Sequence, residues 1–392
     1  MSVKRRLLFF GLFVSCVAVL AFGFHAALQG NPLGADFYTA WKTARAVLID
    51  GRSPYDPAIA REIQMDIQGH LSQPDEDQLA YSYPLFGLLL IAPLAFLAFD
   101  WAQALWLAFN FLIVMATGLA ISSRKRFWLG ATFWLLYPVS FALILGNFDL
   151  LIAAIWLFFL GQTLTQKDSQ ATNTIGLGLL VALTTLKPQF SWLFLIYTFV
   201  RVLRLRSWKF AGGFLAGCTL LWLAPLLWRP GWISQWLNQL LLYLKTMGGN
   251  FSPVNDFMVL LPPNLAKPFL WIGLTLLAGF SIFLFRQAWR GRISGLSLLA
   301  WCGVVTYLVH PTGLSYEQMT FLVPLFLWAV RERQTILSTL VWFGFIILSW
   351  LSLFATLTKI DLLADSSWLL IAAFLWLGWL FARRRADPRL GV

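Results

Sequence analysis

The chain has 392 residues, of which 59% are hydrophobic and 12% are charged, about half the charged fraction of a soluble domain. This composition excludes a soluble protein, because so much apolar surface cannot be kept from water, and it predicts helices that cross a lipid bilayer. The net charge of +12 does not indicate a nucleic-acid partner, because the basic residues cluster at the ends of apolar runs and predict contacts with anionic lipid headgroups.

The N-terminus is predicted to be a retained transmembrane helix. Lys4, Arg5 and Arg6 precede an apolar run that reaches about residue 28. A signal peptide begins in the same way, but this run is longer than a usual signal-peptide core, and no small-residue cleavage motif follows it. The three cysteines of the chain each lie inside an apolar run, so they are interpreted as buried small hydrophobic residues rather than disulfide or metal ligands.

The segment 29–83 is polar and forms the largest predicted loop. Within it, residues 36–49 carry an apolar face at helical spacing, which predicts an amphipathic helix lying on the membrane surface. That face consists of Phe37, Ala40, Trp41, Ala44 and Leu48. The apolar run 84–99 that follows is short, and it is predicted to be re-entrant or interfacial rather than a full crossing.

About twelve crossings are predicted in all, which makes the chain an all-α polytopic membrane protein. Their approximate ranges are 7–27, 102–121, 127–145, 148–165, 174–187, 189–201, 210–228, 268–285, 295–310, 318–330, 335–354 and 366–382. A second outer loop is predicted from residue 229 to about residue 267. Tryptophans near the predicted crossing ends are interpreted as an interfacial aromatic belt. They are Trp101, Trp106, Trp128, Trp228, Trp232, Trp236 and Trp289.

The charge distribution orients this layout. It places 20 of the 29 Lys and Arg residues on one side, including the segments 166–173 and 383–392, and 14 of the 17 acidic residues on the other. By the positive-inside rule the basic side is cytoplasmic, so both termini are predicted to be cytoplasmic and the membrane is predicted to be the plasma membrane. Counting 84–99 as a full crossing would reverse every later loop.

Two acidic residues at outer helix ends are candidates for chemistry. Asp36 lies among apolar and aromatic neighbours, which can tune a carboxylate for general-base work, although it could instead be an N-cap of the helix that follows. Asp149 begins an apolar run directly after Asn147 and Phe148, where an ionisable residue is either functional or a helix cap.

Candidate ligands for a phosphate or a sugar lie further along the chain. Lys187 precedes a proline at an outer helix end, where it either binds a lipid phosphate or extends its amine to the membrane interface. His310 and Glu317 lie in an outer turn and could bind sugar hydroxyls or move a proton, unless they belong to an ordinary hydrated loop. No His or Cys cluster has the spacing of a metal site, no cofactor is predicted, and a loosely held divalent cation is left open.

Several short motifs, in their order and topological side, resemble the GT-C superfamily and within it glycosyltransferase family 87, whose members are polyprenyl-phosphate-sugar-dependent and mannosyltransferase-like. The motifs are Asp36-Phe37-Tyr38, Gly51-Arg52-Ser53-Pro54-Tyr55-Asp56, Tyr81-Ser82-Tyr83-Pro84-Leu85, Pro93-Leu94, Gly146-Asn147, Leu186-Lys187-Pro188 and Trp208-Lys209. Residues 1–392 are predicted to form a single membrane domain. The resemblance covers about residues 1–210 as a catalytic module and leaves 211–392 as more variable helices.

The resemblance implies a GT-C-like enzyme that takes a hexose from a polyprenyl-phosphate donor and gives it to a glycan or glycolipid acceptor on the non-cytoplasmic face. Mannose is the family default. The family's acidic residue in the first outer loop corresponds to Asp36 as general base, and its Lys-Pro lysine corresponds to Lys187. The implied substrate-binding residues are Lys187, Asp149, Asn147, Tyr55, Tyr83, His310 and Glu317. Where the family often has Gly-Gln-x-Asn, this chain has Gly-Asn-Phe-Asp at 146–149.

Two other classes of function remain open from the sequence. A secondary transporter or flippase would tend to place polar residues in mid-membrane, whereas here they collect at the outer helix ends. A polymerase or ligase of lipid-linked sugars would be expected to have a large loop late in the chain, whereas the largest loop here is the first. A Gly-rich loop ending in Gly-Lys-Ser or Gly-Lys-Thr is absent from the sequence, so an ATP-driven pump is not predicted.

Overall fold

The computed structural model describes residues 3–29, 33–73, 76–165, 173–246, 253–254, 258, 261–358 and 367–382. All regular secondary structure within these ranges is helical. The predicted cytoplasmic segment 383–392 lies outside them, as does 166–173 except for its last residue. The all-α class predicted from the composition is therefore confirmed.

The α-helices are numbered here along the chain. They are α1 (Val3–Leu28), α2 (Ala35–Leu48), α3 (Pro57–Gln68), α4 (Phe86–Ile91), α5 (Phe99–Ile121), α6 (Phe127–Thr132), α7 (Tyr137–Leu145), α8 (Asp149–Thr165), α9 (Ile175–Ala182), α10 (Pro188–Leu205), α11 (Trp208–Trp228), α12 (Trp232–Thr246), α13 (Pro263–Trp289), α14 (Gly295–Leu308), α15 (Met319–Arg331), α16 (Thr335–Leu357) and α17 (Ser367–Ala382). Short 3₁₀ helices occur at Ala92–Phe96, Arg124–Arg126, Phe133–Leu135, Leu183–Leu186 and Ser315–Gln318.

Among the described residues, five helices are long and apolar enough to cross a membrane, which makes the chain a membrane protein. They are Phe10–Leu28, Phe99–Ile121, Trp208–Trp228, Asn264–Trp289 and Thr335–Ala355. A sixth is counted if α6 and α7 form one span. The prediction of about twelve crossings is not confirmed, because the other apolar helices that meet the hydropathy test have only 10–17 residues.

Two predicted segments have shapes that length and composition did not specify. The predicted crossing 127–145 is bent by 63° between α6 and α7, where Pro138 lies in the first turn of α7 and has no N–H to continue the preceding helix. The apolar run 84–99 forms α4 and a 3₁₀ helix over Phe86–Phe96. At 1.5 Å per residue this segment is about 16 Å long, roughly half the thickness of the hydrocarbon core.

The structure contains two compact units that interleave along the chain. The first comprises residues 1–117, 140–154 and 219–247, and the second comprises 118–139, 155–218 and 248–392. The division of a single membrane domain into 1–210 and 211–392 rests on the resemblance and stays a prediction.

In the first unit, α2 is the predicted amphipathic helix, and it packs against α3, α4 and the 3₁₀ helix Ala92–Phe96. The Trp41 indole donates a hydrogen bond to the Leu94 carbonyl at 3.2 Å, and the Arg45 guanidinium donates to the Ala95 carbonyl at 2.8 Å. Four of the five residues of the predicted apolar face are buried, and Leu48 is half-buried. Protein elements therefore cover the apolar face of α2.

Two further helices of the first unit lie in segments predicted as loops. Asp56 begins α3 by accepting a hydrogen bond from the Ala58 N–H at 2.9 Å, and Pro57 fills the first helical position. Helix α12 occupies the predicted second outer loop and buries Trp232 and Trp236. These two tryptophans and Trp106 are at most 7% exposed, so the prediction that they belong to an interfacial belt was wrong.

In the second unit, α14 packs closely along α15. A Cβ atom at Gly303 of α14 would lie 2.3 Å from the Thr320 carbonyl oxygen of α15, so only glycine permits this approach. Helix α10 also packs against α14. This packing holds the turn between α14 and α15 beside the start of α10.

Candidate functional site

In the first unit, Asp36 is held by Asn147. The Asn147 side-chain N–H donates a hydrogen bond to the Asp36 carboxylate oxygen Oδ2 at 2.6 Å, although 111 residues separate the two in sequence. Asp36 lies in the first turn of α2, and the N-cap residue of that helix is Gly34. The alternative that Asp36 is the helix N-cap was therefore wrong, and its half-buried carboxylate accepts a hydrogen bond from a side chain instead.

The start of α8 fixes the orientation of the Asn147 amide. The backbone N–H of Asp149 donates to the Asn147 oxygen Oδ1 at 2.9 Å. Because a backbone N–H can only donate, this contact assigns the oxygen to that side and leaves the NH₂ group to face Asp36. Asn147 is 1% exposed, so it presents a donor to Asp36 from a buried position.

The turn before Asn147 depends on a glycine. Gly146 has φ +67°, and a Cβ atom there would lie 2.6 Å from the Phe37 Cβ. The Gly146 carbonyl accepts a hydrogen bond from the Trp106 indole at 2.7 Å, and the Trp106 ring stacks on the Phe37 ring with centroids 5.4 Å apart. These contacts fix α2 and the 146–149 turn against each other, and so set the Asp36–Asn147 distance.

Asp149, Tyr55 and Tyr83 also lie in the first unit. Asp149 is fully buried as the first residue of α8, while Asn147 provides the cap. The Tyr55 hydroxyl donates to the Tyr83 carbonyl at 3.0 Å, and the Tyr83 ring contacts the Phe148 ring with centroids 5.1 Å apart. Burial raises the pKa of Tyr55, which keeps its hydroxyl protonated.

In the second unit, Glu317 lies at the centre of a buried polar cluster. Its Oε1 atom is 3.1 Å from the Lys187 ammonium nitrogen, and its Oε2 atom is 2.6 Å from His310 Nδ1. The Thr312 hydroxyl and the Leu314 N–H also donate to this carboxylate, at 3.1 and 2.9 Å. Lys187, His310 and Glu317 are each at most 3% exposed. The alternatives of an interfacial lysine and a hydrated loop were therefore wrong.

The cluster keeps Glu317 ionised. Burial alone would raise the pKa of this carboxyl, but the positive charges of His310 and Lys187 outweigh burial and lower the pKa to about 2. An ionised carboxylate accepts only, so the 2.6 Å contact places the proton on His310 Nδ1. The Thr312 and Gly313 N–H groups also point towards Nδ1, but at 3.3–3.4 Å they are the weaker contacts.

The second ring nitrogen of His310 is available for a ligand. Nε2 is buried and has no hydrogen-bond partner among the residues that the structure describes. The surrounding turn holds the ring in place, because Gly313 adopts φ +53° and its carbonyl accepts a hydrogen bond from the Tyr307 hydroxyl at 2.9 Å. Such a carboxylate–imidazole pair can orient a proton donor or acceptor.

The sequence model of glycosyltransferase family 87 matches residues 81–311, which is more than half of the chain. The chain belongs to glycosyltransferase family 87. The match includes Asn147, Asp149, Lys187 and His310, and it begins after Asp36. No curated protein and no solved structure matches the chain.

The predicted site residues of this glycosyltransferase fall into two groups. Asp36, Asn147, Asp149, Tyr55 and Tyr83 lie in the first unit, while Lys187, His310 and Glu317 meet in the second. Sequence reasoning did not single out Thr312 or Phe37 as part of either group. Within the described ranges, no set of three or more His, Cys, Asp and Glu residues is arranged to hold a metal ion.

Gly146→Ala is expected to destabilise the protein more than Gly51→Ala, with a further loss of activity. Both glycines have positive φ angles, +67° and +69°, so each substitution imposes left-handed strain of about 1–2 kcal/mol. Only Gly146 also faces a clash, because nothing lies within 4 Å of a Cβ at Gly51. Thermal unfolding of the two variants in detergent measures the difference. Equal stabilities would show that the Phe37 contact does not constrain the turn.

Proposed function

We propose that this glycosyltransferase moves a hexose from a polyprenyl-phosphate carrier to a hydroxyl of a glycan or glycolipid acceptor, on the non-cytoplasmic face of the plasma membrane. The observation that supports it most is the Asp36–Asn147 hydrogen bond of 2.6 Å. A half-buried carboxylate held by a buried amide donor is suited to act as a general base. Mannose is proposed from the resemblance alone.

The proposed reaction is a single inverting displacement. Asp36 takes the proton of the acceptor hydroxyl as that oxygen bonds to the anomeric carbon of the donor sugar. The bond from the anomeric carbon to the phosphate oxygen breaks, and the lipid phosphate leaves with the electron pair. The hydrogen bond from Asn147 holds one carboxylate oxygen in place, so the acceptor is deprotonated in a fixed direction.

From the family resemblance alone, Lys187 is proposed to stabilise the negative charge of the leaving phosphate. Glu317 compensates the charge of Lys187 at 3.1 Å and lies 2.6 Å from His310 Nδ1. Glu317 positions Lys187 and His310, without contacting the donor itself.

Asn147→Asp is expected to shift the acid limb of the pH–rate profile to higher pH. The substitution replaces an amide donor with a second carboxylate about 2.6 Å from Asp36, and a like charge raises the pKa of a carboxyl. Since the base must be deprotonated, the pH needed for half-maximal rate rises. Asn110→Asp, a buried amide on α5 whose N–H donates to the Trp106 carbonyl, serves as the control. A profile unchanged in Asn147→Asp would argue against Asp36 as the base.

The donor class is tested by transfer from radiolabelled polyprenyl-phosphate sugars to membrane glycan acceptors, using purified protein in liposomes. Polyprenyl-phosphate-mannose is compared with the glucose carrier and with the matching nucleotide sugars. Transfer from a lipid-phosphate sugar, with none from nucleotide sugars, is the expected result. Transfer from a nucleotide sugar alone would overturn the proposed donor.

A further inference from the structure

A groove lies on the first unit between α12 and the start of α3. Its volume is about 460 Å³, within the range of roughly 300–1,000 Å³ that holds small ligands. One wall belongs to α12 and the other to the segment before α3. The lining residues are Ser53, Tyr55, Asp56, Gln235, Asn238, Gln239 and Leu242.

The groove follows from the amphipathic pattern of α12. Gln235, Asn238, Gln239 and Leu242 have the spacing i, i+3, i+4 and i+7, so they share one face of the helix. Another face buries Trp232 and Trp236 against Trp222, with ring centroids 5.6 and 5.3 Å apart. The Trp236 indole donates to the Ser82 carbonyl at 2.9 Å, which holds the helix in place.

The opposite wall is fixed as well. The Ser53 hydroxyl donates across the groove to the Gln235 side-chain oxygen at 2.7 Å. Asp56 caps α3 through the Ala58 N–H and accepts a hydrogen bond from the Arg52 guanidinium at 3.3 Å. Arg229 donates to the backbone carbonyls of Gly51 and Arg52. Both walls therefore stand at a defined separation.

The chemistry of the lining suits neutral hydroxyl groups. A side-chain amide offers two donors and an acceptor, which matches sugar hydroxyls that both donate and accept. The side-chain amides of Asn238 and Gln239 make no hydrogen bond within the ranges that the structure describes. The one charged lining residue, Asp56, is paired with Arg52, and the lining includes no cation that would attract a phosphate or another anion.

Continuous contacts connect the groove to Asp36. The Tyr55 hydroxyl donates to the Tyr83 carbonyl at 3.0 Å, and the Tyr83 ring contacts Phe148. Phe148 follows Asn147 directly, and Asn147 donates to Asp36 at 2.6 Å. The groove and Asp36 lie on the same unit. A glycan whose reacting hydroxyl is at Asp36 could therefore place its other sugar residues in the groove.

We propose that this groove binds a neutral acceptor glycan. It would hold the sugar residues next to the one that carries the reacting hydroxyl. The proposal rests on the proposed function, because it assigns the acceptor to this site. The open groove leaves room for the rest of a glycan chain to extend away from the protein. Asn238, Gln239 and Asp56 are the hydrogen-bonding residues that select hydroxyl-rich ligands.

The test uses the full chain in lipid nanodiscs and the double variant Asn238→Ala/Gln239→Ala. Mannobiose, maltose and cellobiose serve as probes, and saturation-transfer NMR measures their binding. Ser234→Ala on α12 and Gln334→Ala in the second unit are the matched controls, because Ser234 and Gln334 lie outside the groove. At least one disaccharide is expected to bind the wild type and both controls, and to bind the double variant about tenfold more weakly, since two hydrogen-bonding amides are lost.

Transfer kinetics in the same preparation separate this proposal from the proposed function. The double variant is expected to raise KM for the acceptor while KM for the lipid-linked donor is unchanged. The groove proposal would be overturned if no disaccharide bound any of the proteins, or if the disaccharides bound the double variant as tightly as the wild type. Either result would do so even if sugar transfer occurs. The wild type could instead use no lipid-linked donor and still bind a disaccharide that the double variant does not bind. That result would contradict the proposed reaction and support the glycan-binding groove.

Discussion

Replacing Asp36 with asparagine is expected to reduce turnover of sugar transfer by about 10²–10⁴-fold, which is what a positioned general base contributes. The substitution keeps the shape of the side chain and removes its ability to take a proton. The amide of Asn147 can still donate to the carbonyl oxygen of the new asparagine, so the 2.6 Å contact can persist. Initial rates at saturating donor and acceptor measure the effect.

Asp50→Asn is the control for this substitution. Asp50 is exposed just after α2, in the same predicted loop as Asp36, and the same chemical change there should leave the rate within about twofold of wild type. Circular dichroism and thermal unfolding of both variants verify that they are folded. Wild-type turnover in folded Asp36→Asn would remove Asp36 from the reaction, and an equal loss in both variants would indicate a nonspecific effect.

Glu317→Gln is expected to cause the largest loss of stability, about 3–5 kcal/mol, because it leaves Lys187 buried beside a neutral side chain. Lys187→Met should cost less, since Glu317 keeps His310 as its partner at 2.6 Å. The double variant Lys187→Met/Glu317→Gln should recover part of the loss, because both charges of the pair are gone. Thermal unfolding of the four proteins in one detergent gives the interaction energy.

The exposed pair Lys42–Asp66 is the matched control. Its nitrogen and oxygen are 2.9 Å apart, but the side chains are 29% and 39% exposed, so water screens the two charges. The corresponding cycle of Lys42→Met and Asp66→Asn should give an interaction energy of about 1 kcal/mol or less. An interaction energy for Lys187 and Glu317 as small as that of the exposed pair would contradict the structural role of the buried cluster.

The sequence indicated the helical elements of this protein more clearly than their packing. Hydropathy located helices or helix pairs in each of the twelve predicted ranges, because apolar runs in a membrane protein satisfy their backbone as helices. It missed α3 and α12, which lie in polar segments. The pair Asp56-Pro57 was a start signal for α3, and α12 was visible only as an amphipathic pattern among tryptophans that had been interpreted as an interfacial belt.

The residues of the candidate site could be predicted from the sequence, but the contacts between them could not. Asp36 and Asn147 were each singled out, but only the fold of α2 against the 146–149 turn shows that they share a hydrogen bond. The partner of Lys187 was predicted to be a lipid phosphate, whereas Glu317 compensates its charge, 130 residues further along the chain. Helix packing decides which turns meet, and no local pattern encodes that packing.

The central claim is tested most directly by supplying azide to Asp36→Ala in the presence of the polyprenyl-phosphate sugar. Azide is an anionic nucleophile that needs no deprotonation, so it bypasses a missing general base. We expect Asp36→Ala to transfer almost nothing to the hydroxyl acceptor and to form, when azide is added, a glycosyl azide of inverted configuration. Transfer to the hydroxyl acceptor by Asp36→Ala at the wild-type rate, with no dependence on azide, would contradict the account.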